Sequence, residues 1–165
     1  MAVSANGLIA TSDGSEDFLS HQNWLQFVKR AKEAGCFIYG RKTYEAVIKW
    51  DPSYLAELKS VRKMVISSTN FEPQAGFTLA KSPEAALEIL KAEGFTAAIV
   101  TGGATINSAF AKLGLIDEVI LDINPALIGT GVPIFAPTDL NLNLQLRKTE
   151  NIADGIVEVS YKVVK

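Results

Sequence analysis

The stretch that decides the fold reads Ala97-Ala-Ile-Val-Thr-Gly-Gly-Ala-Thr-Ile-Asn-Ser-Ala-Phe-Ala-Lys-Leu-Gly114. Its first residues are apolar and typical of a short buried strand, and a Gly-Gly pair follows at Gly102. Beyond the pair, Ile106, Phe110 and Leu113 recur at the three- and four-residue spacing of a helix. The stretch therefore predicts a strand, a tight turn and a helix that begins directly after the turn.

A turn of this kind creates a place where an anion can bind. The first N–H groups of a helix have no partner within the helix, and the helix dipole is positive at that end. Glycines at the turn carry no Cβ atom that would keep a phosphate away from the backbone. We therefore expect an anion site from Gly102 to Ile106. A glycine pair that only turns the chain is the alternative, because so short a motif has low specificity.

Length and composition indicate a globular protein with one domain over residues 1–165. The 165 residues are 48% hydrophobic and 21% charged, with a formal net charge of -2. This charge, and the lack of basic runs interleaved with aromatic residues, argue against nucleic-acid binding. No apolar stretch is long enough to span a membrane, and the first residues lack the pattern of a signal peptide. We expect a cytoplasmic protein with no membrane partner.

Cysteine and histidine usage bears on redox and metal chemistry. Cys36, the one cysteine, lies in an apolar run and has no partner for an internal disulfide, which suits a reducing compartment. Its setting predicts an inert buried thiol rather than a nucleophile. One cysteine and one histidine, His21, cannot form a zinc site of the deaminase type, so we expect no metal.

The rest of the chain alternates between short apolar strands and amphipathic helices. A mostly parallel central sheet covered on both faces follows from this alternation, with an antiparallel hairpin at the C-terminal end. Residues 124–137 are rich in Pro and Gly and are predicted to form a loop. The predicted strands are residues 1–10 (interrupted at 5–7), 36–39, 63–67, 77–80, 97–100, 116–123, 140–147 and 156–164, and the other predicted helices are 20–35, 40–48 and 82–94.

Polar and glycine residues follow three of these strands, and ligands of parallel sheets bind beyond such strand ends. The three segments are Gly40-Arg41-Lys42-Thr43, Ser67-Ser68-Thr69 and Gly102-Gly103-Ala104-Thr105. Arg41 and Lys42 stand at a helix N-terminus, where the dipole disfavours positive charge, and an anionic ligand would remove that conflict. The pattern predicts a dinucleotide with three phosphates, of the NADP type. Solvated surface charges and turn-forming serines are the alternative.

Several segments resemble a known family. Gly40-Arg-Lys-Thr-Tyr-Glu45, Val65-Ile-Ser-Ser68 and Val100-Thr-Gly-Gly-Ala-Thr105, in this order, resemble the dihydrofolate reductase superfamily. Residues 4–10, 113–119 and 125–135 look still more like the reductase domain of the bifunctional deaminase-reductase of riboflavin biosynthesis. The resemblance spans nearly the whole chain and implies an α/β, dihydrofolate reductase-like three-layer fold.

The resemblance also implies NADPH as the cofactor. Arg41, Ser67 and Ser68 would hold the adenosine 2′-phosphate, and the helix start after a cis Gly102–Gly103 peptide would receive the pyrophosphate. The implied cofactor-binding residues are Ile9 and Ala10 beside the nicotinamide, then Gly40, Arg41, Lys42, Thr43, Ser67, Ser68, Gly102, Gly103, Ala104, Thr105 and Ile106. The implied substrate-binding residues are Asn23, Trp24, Phe27, Val47 and Thr101.

The chain departs from the family pattern at the catalytic acid. Dihydrofolate reductases carry a carboxylate near the start of the helix that here holds Trp24 and Phe27, and that place falls at about Asn23. An amide can neither supply a proton nor pair ionically with a protonated pterin. The catalytic residue is therefore unassigned, with Asp17 and Asn23 as candidates. Riboflavin-pathway reductases, in addition, often have an aspartate where this chain has Asn6.

Residues and resemblance together predict an NADPH-dependent reductase that passes hydride to a heterocycle. The substrate would be a pterin such as dihydrofolate or a ribosylaminopyrimidine of riboflavin synthesis. The alternatives are an authentic dihydrofolate reductase with a displaced acid and a non-catalytic NADP-binding protein. The apolar residues 156–164 and the resemblance favour a homodimer, although a buried edge strand explains the same residues.

Overall fold

In the computed structural model, which describes residues 1–165, the chain forms ten strands and five helices. The strands are β1 (Ala2–Ser4), β2 (Leu8–Thr11), β3 (Cys36–Gly40), β4 (Arg62–Ile66), β5 (Phe77–Ala80), β6 (Ile99–Val100), β7 (Glu118–Asn124), β8 (Gly131–Pro133), β9 (Asn143–Asn151) and β10 (Val157–Val164). The helices are α1 (His21–Ala34), α2 (Arg41–Val47), α3 (Pro52–Ala56), α4 (Pro83–Ala92) and α5 (Ala104–Lys112).

These elements belong to two compact units. The central unit is residues 26–106, and the terminal unit combines residues 1–25 with residues 107–165. The boundaries fall within α1 and α5, so each of these helices contributes residues to both units. The assignment of residues 1–165 to a single domain remains a prediction.

The central unit contains a parallel sheet in the order β5-β4-β3-β6. All five residues of β3 are buried, as expected for a strand with neighbours on both sides. Phe37, Ile38 and Met64 are among its fully buried side chains. The predicted parallel sheet is thus confirmed, and the burial of β3 and of most of β4 agrees with a sheet covered on both faces.

The terminal unit contains a four-stranded sheet in the order β1-β7-β10-β9 and a two-stranded sheet of β2 and β8. β1 runs parallel to β7, whereas β10 is antiparallel to both β7 and β9. The predicted C-terminal hairpin is confirmed. Asp154 and Gly155 have φ values of 54° and 76°, the left-handed conformation that matches a tight turn to the twist of the strands. The single predicted sheet therefore consists of separate hydrogen-bonded sheets.

Local sequence signals mark two helix ends. The Ser82 hydroxyl accepts a hydrogen bond from Ala85 N at 3.2 Å, and Pro83 occupies the first turn of α4. Directly after the C-terminal end of α1, Gly35 has a φ of 74°, which a residue with a side chain rarely adopts. No helix combines the length and apolar character needed to cross a bilayer.

Two elements were not predicted, and one predicted position is wrong. The region 124–137 is not all loop, because β8 pairs with β2 inside it. Three residues are too few to show a strand period, so the sequence carries no signal there. α3 follows Asp51, whose carboxylate accepts from Ser53 N at 2.8 Å. Leu113, expected on the apolar face of α5, lies past its end and is 47% exposed.

Candidate functional site

The predicted cofactor residues of the central unit follow the carboxyl ends of hydrogen-bonded strands. Gly40, the last residue of β3, is in register with Ile66, the last residue of β4. Arg41 and Ser67 therefore leave the sheet at neighbouring positions. Gly40 N donates to Gly102 O at 2.8 Å, which continues the line of β6 beside β3. The structure brings segments 40–43, 67–68 and 101–106 to one edge of the parallel sheet.

The glycines at this edge have distinct steric roles. The Gly102–Gly103 peptide is cis, as predicted, and Gly102 has a φ of 95° that disfavours any side chain. A Cβ atom on Gly40 would lie 2.5 Å from Cγ1 of Ile106, so only glycine lets the first turn of α5 approach β3 this closely. A Cβ atom on Gly103 would point to within 3.5 Å of the Thr43 hydroxyl.

The start of α5 presents unpaired donors. Ile106 N donates to Gly103 O at 3.0 Å, whereas the N–H groups of Gly103, Ala104 and Thr105 make no hydrogen bond within the chain. Unpaired N–H groups at a helix start, together with the positive end of its dipole, favour an anion. This geometry agrees with the expected phosphate position, and the role of these residues remains a prediction.

Arg41 is held by two neighbours. Its Nε donates to Glu45 Oε1 at 2.6 Å, and its Cζ lies 4.9 Å from the centre of the Phe71 ring. The Nη1 and Nη2 groups make no hydrogen bond, and the side chain is 40% exposed. Lys42 is exposed. The carboxylate of Glu45 therefore compensates part of the unfavourable interaction between the Arg41 charge and the dipole of α2. The sequence alone predicted that an anionic ligand would do so.

The two predicted serines differ. Ser67 is 8% exposed, and its hydroxyl accepts from Thr69 N at 3.2 Å. Ser68 is exposed. Ser67 thus makes the contact of a turn-forming serine, and the Ser68 hydroxyl makes no hydrogen bond within the chain. The phosphate-binding role of both serines remains a prediction.

The remaining predicted residues are divided between the two units. Ile9, Ala10, Asp17, Asn23 and Trp24 belong to the terminal unit. Phe27, Val47 and Thr101 belong to the central unit. There, the rings of Phe27 and Phe37 meet edge to face at 5.3 Å, Val47 is buried, and Thr101 Oγ1 donates to Ile38 O at 3.4 Å.

The two candidate catalytic residues have opposite surroundings. Asp17 is exposed in the loop before α1. Asn23 is 6% exposed; its Oδ1 accepts from Ser20 N at 3.1 Å, and its Nδ2 is buried without a partner. Desolvation by nearby protein atoms raises the pKa of the Glu16 carboxyl, although the residue as a whole is exposed. Sequence reasoning did not single out Glu16.

Asn6 ties two loops together. Its Nδ2 donates to Ile128 O at 2.7 Å, and its Oδ1 accepts from Ile128 N at 3.2 Å and from the Ser4 hydroxyl at 2.9 Å. An ionised aspartate could not donate to the carbonyl. The amide that departs from the family pattern is therefore matched to its partners in this chain.

Glu45 and Phe71 were missed as possible contributors to the site. The spacing of Arg41 and Glu45 along one helix is a signal that could have found the pair. Phe71 lies on the loop between β4 and β5, and no local pattern connects it with Arg41. A surface cavity of about 340 Å³, lined by Asp117, Gln145 and residues 162–165, contains none of the predicted site residues.

Comparison with known proteins covers nearly the whole chain. The family model described as the RibD C-terminal domain matches residues 1–158. The uncharacterized protein YyaP of Bacillus subtilis is 28% identical over 172 aligned residues, which cover 98% of this chain and 91% of YyaP.

Solved structures are similar in fold over the same range. A protein of Shewanella sp. PV-4, assigned provisionally to riboflavin biosynthesis, is 26% identical with a TM-score of 0.78 and covers 100% of this chain and 97% of its own. A pyrimidine reductase-like protein of Corynebacterium diphtheriae has a TM-score of 0.79 at 16% identity, covering 99% and 90%. The diaminohydroxyphosphoribosylaminopyrimidine deaminase/5-amino-6-(5-phosphoribosylamino)uracil reductase of Thermotoga maritima has a TM-score of 0.74 at 17% identity, covering 99% and 55%. The predicted fold class, α/β and dihydrofolate reductase-like, is confirmed.

Proposed function

Because this chain belongs to the RibD C-terminal domain family, we propose that it is an NADPH-dependent reductase that transfers hydride to a small heterocycle. The leading substrate class is a ribosylaminopyrimidine, and a pterin such as dihydrofolate is the second. The names of the Corynebacterium and Thermotoga proteins support the pyrimidine class. The observation that carries the proposal is the set of unpaired donors on Arg41 and at the start of α5, at one edge of the sheet.

The residues present fit a triply phosphorylated dinucleotide. Arg41 would hold the 2′-phosphate with its Nη groups, assisted by Ser68, and the N–H groups of residues 103–105 would hold the pyrophosphate. When bound, NADPH supplies the hydride, and the protein contributes binding and orientation. No residue is assigned as proton donor, and the proton would come from solvent.

Cofactor preference tests the role of Arg41. The wild type, Arg41→Ala and Lys49→Ala would each be titrated with NADPH and with NADH, and binding would be followed by nicotinamide fluorescence. We expect Arg41→Ala to weaken NADPH binding about 10- to 100-fold and NADH binding less than about threefold, since only NADPH carries the charge-assisted contact. Lys49, exposed just after α2, is a matched control and should change neither affinity. Equal losses for both cofactors would refute a 2′-phosphate site.

Substrate class is tested by NADPH oxidation with two compounds. The proposal predicts turnover of 5-amino-6-(5-phosphoribosylamino)uracil, the compound named for the Thermotoga reductase. Turnover of dihydrofolate that is lost in Asp17→Asn would instead favour an authentic dihydrofolate reductase with a displaced acid. NADPH binding without any turnover would favour a non-catalytic binding protein.

We also propose a cytoplasmic homodimer, on different grounds from those in the sequence. β10 has no free edge, because it lies between β7 and β9. Of its valines, Val159 and Val163 are buried, whereas Val157 and Val164 are 38% and 50% exposed. β9 is the edge strand next to β10, and its nine residues are all exposed, with Leu144 at 43% and Leu146 at 57%. A strand with one free edge and exposed leucines can pair through that edge with its copy in a second chain.

A further inference from the structure

Two contacts hold the guanidinium of Arg41: a hydrogen bond in its plane and an aromatic ring against one of its faces. Glu45 stands one helical turn further along α2 and accepts from Nε, the donor nearest the main chain, at 2.6 Å. The ring of Phe71 lies against the guanidinium at 4.9 Å. These two contacts leave Nη1 and Nη2 together at the free end, in the fork that grips a phosphate with two parallel hydrogen bonds.

Phe71 is itself held in place by α2. Its ring lies 5.5 Å from the ring of Tyr44, which is 4% exposed. The Tyr44 hydroxyl accepts from Gln74 N at 2.8 Å, so the loop that follows β4 is attached to α2 at two points. The loop that carries Ser68 and Phe71 is therefore fixed relative to Arg41.

We propose that Glu45 and Phe71 are positioning residues that set the preference for a dinucleotide with a 2′-phosphate over one without it. The inference rests on the proposed NADPH-dependent function. A long arginine side chain loses rotamer freedom when it binds a phosphate, and part of that loss has already occurred in a side chain held at two places. Neither residue needs to touch the cofactor for this effect.

The effect of the Glu45 charge on the phosphate must be distinguished from the effect of the hydrogen bond by which Glu45 orients Arg41. A carboxylate near a phosphate repels it, and this repulsion would make Glu45 a competitor for Arg41. Glutamine at position 45 removes the charge but keeps an oxygen that accepts from Nε, whereas alanine removes both. Comparing the two substitutions isolates the positioning effect.

The test measures the ratio of the NADH and NADPH dissociation constants by nicotinamide fluorescence. We expect Glu45→Ala and Phe71→Leu each to lower the ratio about fivefold, while Glu45→Gln and Phe71→Tyr stay within about twofold of the wild type. Loss of fold would weaken both cofactors and leave the ratio unchanged. Glu93→Gln, which disrupts another arginine–glutamate pair of the central unit, is the matched control and should leave the ratio unchanged.

A double-mutant cycle supplies the second readout. In an Arg41→Ala background, Glu45→Ala and Phe71→Leu should no longer change NADPH affinity, because both act through Arg41. Unchanged ratios in single variants that bind NADH as tightly as the wild type, stronger NADPH binding in both Glu45 variants, or equal effects with and without Arg41 would each overturn the inference. Failure of the proposed function is distinguishable, because the wild type would then show no preference for NADPH and Arg41→Ala would have no effect.

Discussion

The two arginine–glutamate pairs of the central unit differ in what they leave free. Arg62 donates from Nε and Nη2 to both oxygens of Glu93 at 2.8 and 2.7 Å, and from Nη1 to the Thr78 hydroxyl at 2.7 Å. Its guanidinium is used on three sides within the protein. Arg41 uses only Nε in this way. The difference indicates a structural role for Arg62 and leaves Arg41 available to a ligand.

The Arg62–Glu93 pair predicts a pH-dependent stability. The hydrogen bond from Arg62 is the main cause that lowers the pKa of the Glu93 carboxyl below its usual 4.5. A carboxyl with a lowered pKa in the folded state stabilises the protein above its ordinary pKa, and this contribution is lost as the pH falls through the lowered value. We expect Glu93→Gln to reduce the free energy of unfolding by about 0.5 kcal/mol at neutral pH, since the pair is partly exposed.

Urea unfolding at neutral pH and below about pH 3 checks this prediction. The difference between wild type and Glu93→Gln should disappear in acid. Glu88, exposed on α4, which ends just before Glu93, and without an ion pair, provides a control in Glu88→Gln that should show no pH-dependent difference. A Glu93→Gln effect of the same size at both pH values would contradict an ionic origin.

Secondary structure elements with local signals could be predicted from the sequence. α4 has a serine cap, a proline in its first turn and a glycine with positive φ after its end, and its bounds lie close to the prediction. β8 and α3 are too short for periodicity to emerge, and β6 has only two residues. The grouping of segments 40–43, 67–68 and 101–106 at one sheet edge was predictable, because each segment follows a strand. The contact of Phe71 with Arg41 was not, because it depends on the path of a loop.

The pairing of β2 with β8 depends on Gly131. A Cβ atom there would lie 2.2 Å from Ala10 O, a backbone atom that cannot move without disturbing β2. We expect Gly131→Ala to lower the free energy of unfolding by about 1–3 kcal/mol through this overlap. Gly129, in the loop just before β8, has no positive φ, and a Cβ atom on it would meet nothing within 4 Å, so Gly129→Ala is the control. Urea unfolding curves that coincide for the two variants would disprove the steric argument.

At the scale of the whole molecule, α1 and α5 each contain residues of both compact units. Helix formation is cooperative, because each added residue uses the turn before it. A continuous helix across a boundary therefore favours joint unfolding of the units. This is the physical basis for treating residues 1–165 as one domain.

The two tryptophans allow this prediction to be tested unit by unit. Trp24 belongs to the terminal unit and Trp50 to the central unit, and the chain has no other tryptophan. We expect Trp24→Phe and Trp50→Phe, each with one remaining tryptophan, to show fluorescence transitions in urea that coincide with their own circular dichroism transitions. Separate transitions within either variant would indicate two domains.

The free β9 edge predicts the assembly state. Sedimentation velocity should show a dimer for the wild type and a monomer for Leu146→Lys, because a charge on the exposed strand opposes pairing with a second copy. Leu113→Lys is the matched control, since Leu113 is 47% exposed and lies outside the strands. A monomeric wild type would exclude the proposed dimer, and a dimeric Leu146→Lys variant would exclude this edge.

Cys36 has a practical consequence for all of these measurements. The residue is fully buried, and burial raises the pKa of its thiol, so the native protein offers maleimide reagents no reactive sulfur. A cysteine placed on an exposed site could then be labelled with a dye or attached to a support without first removing the natural one. Because Cys36 is buried in β3, a reagent can reach its thiol when the structure around β3 opens. The rate of labelling at Cys36 would therefore report the rate of that opening.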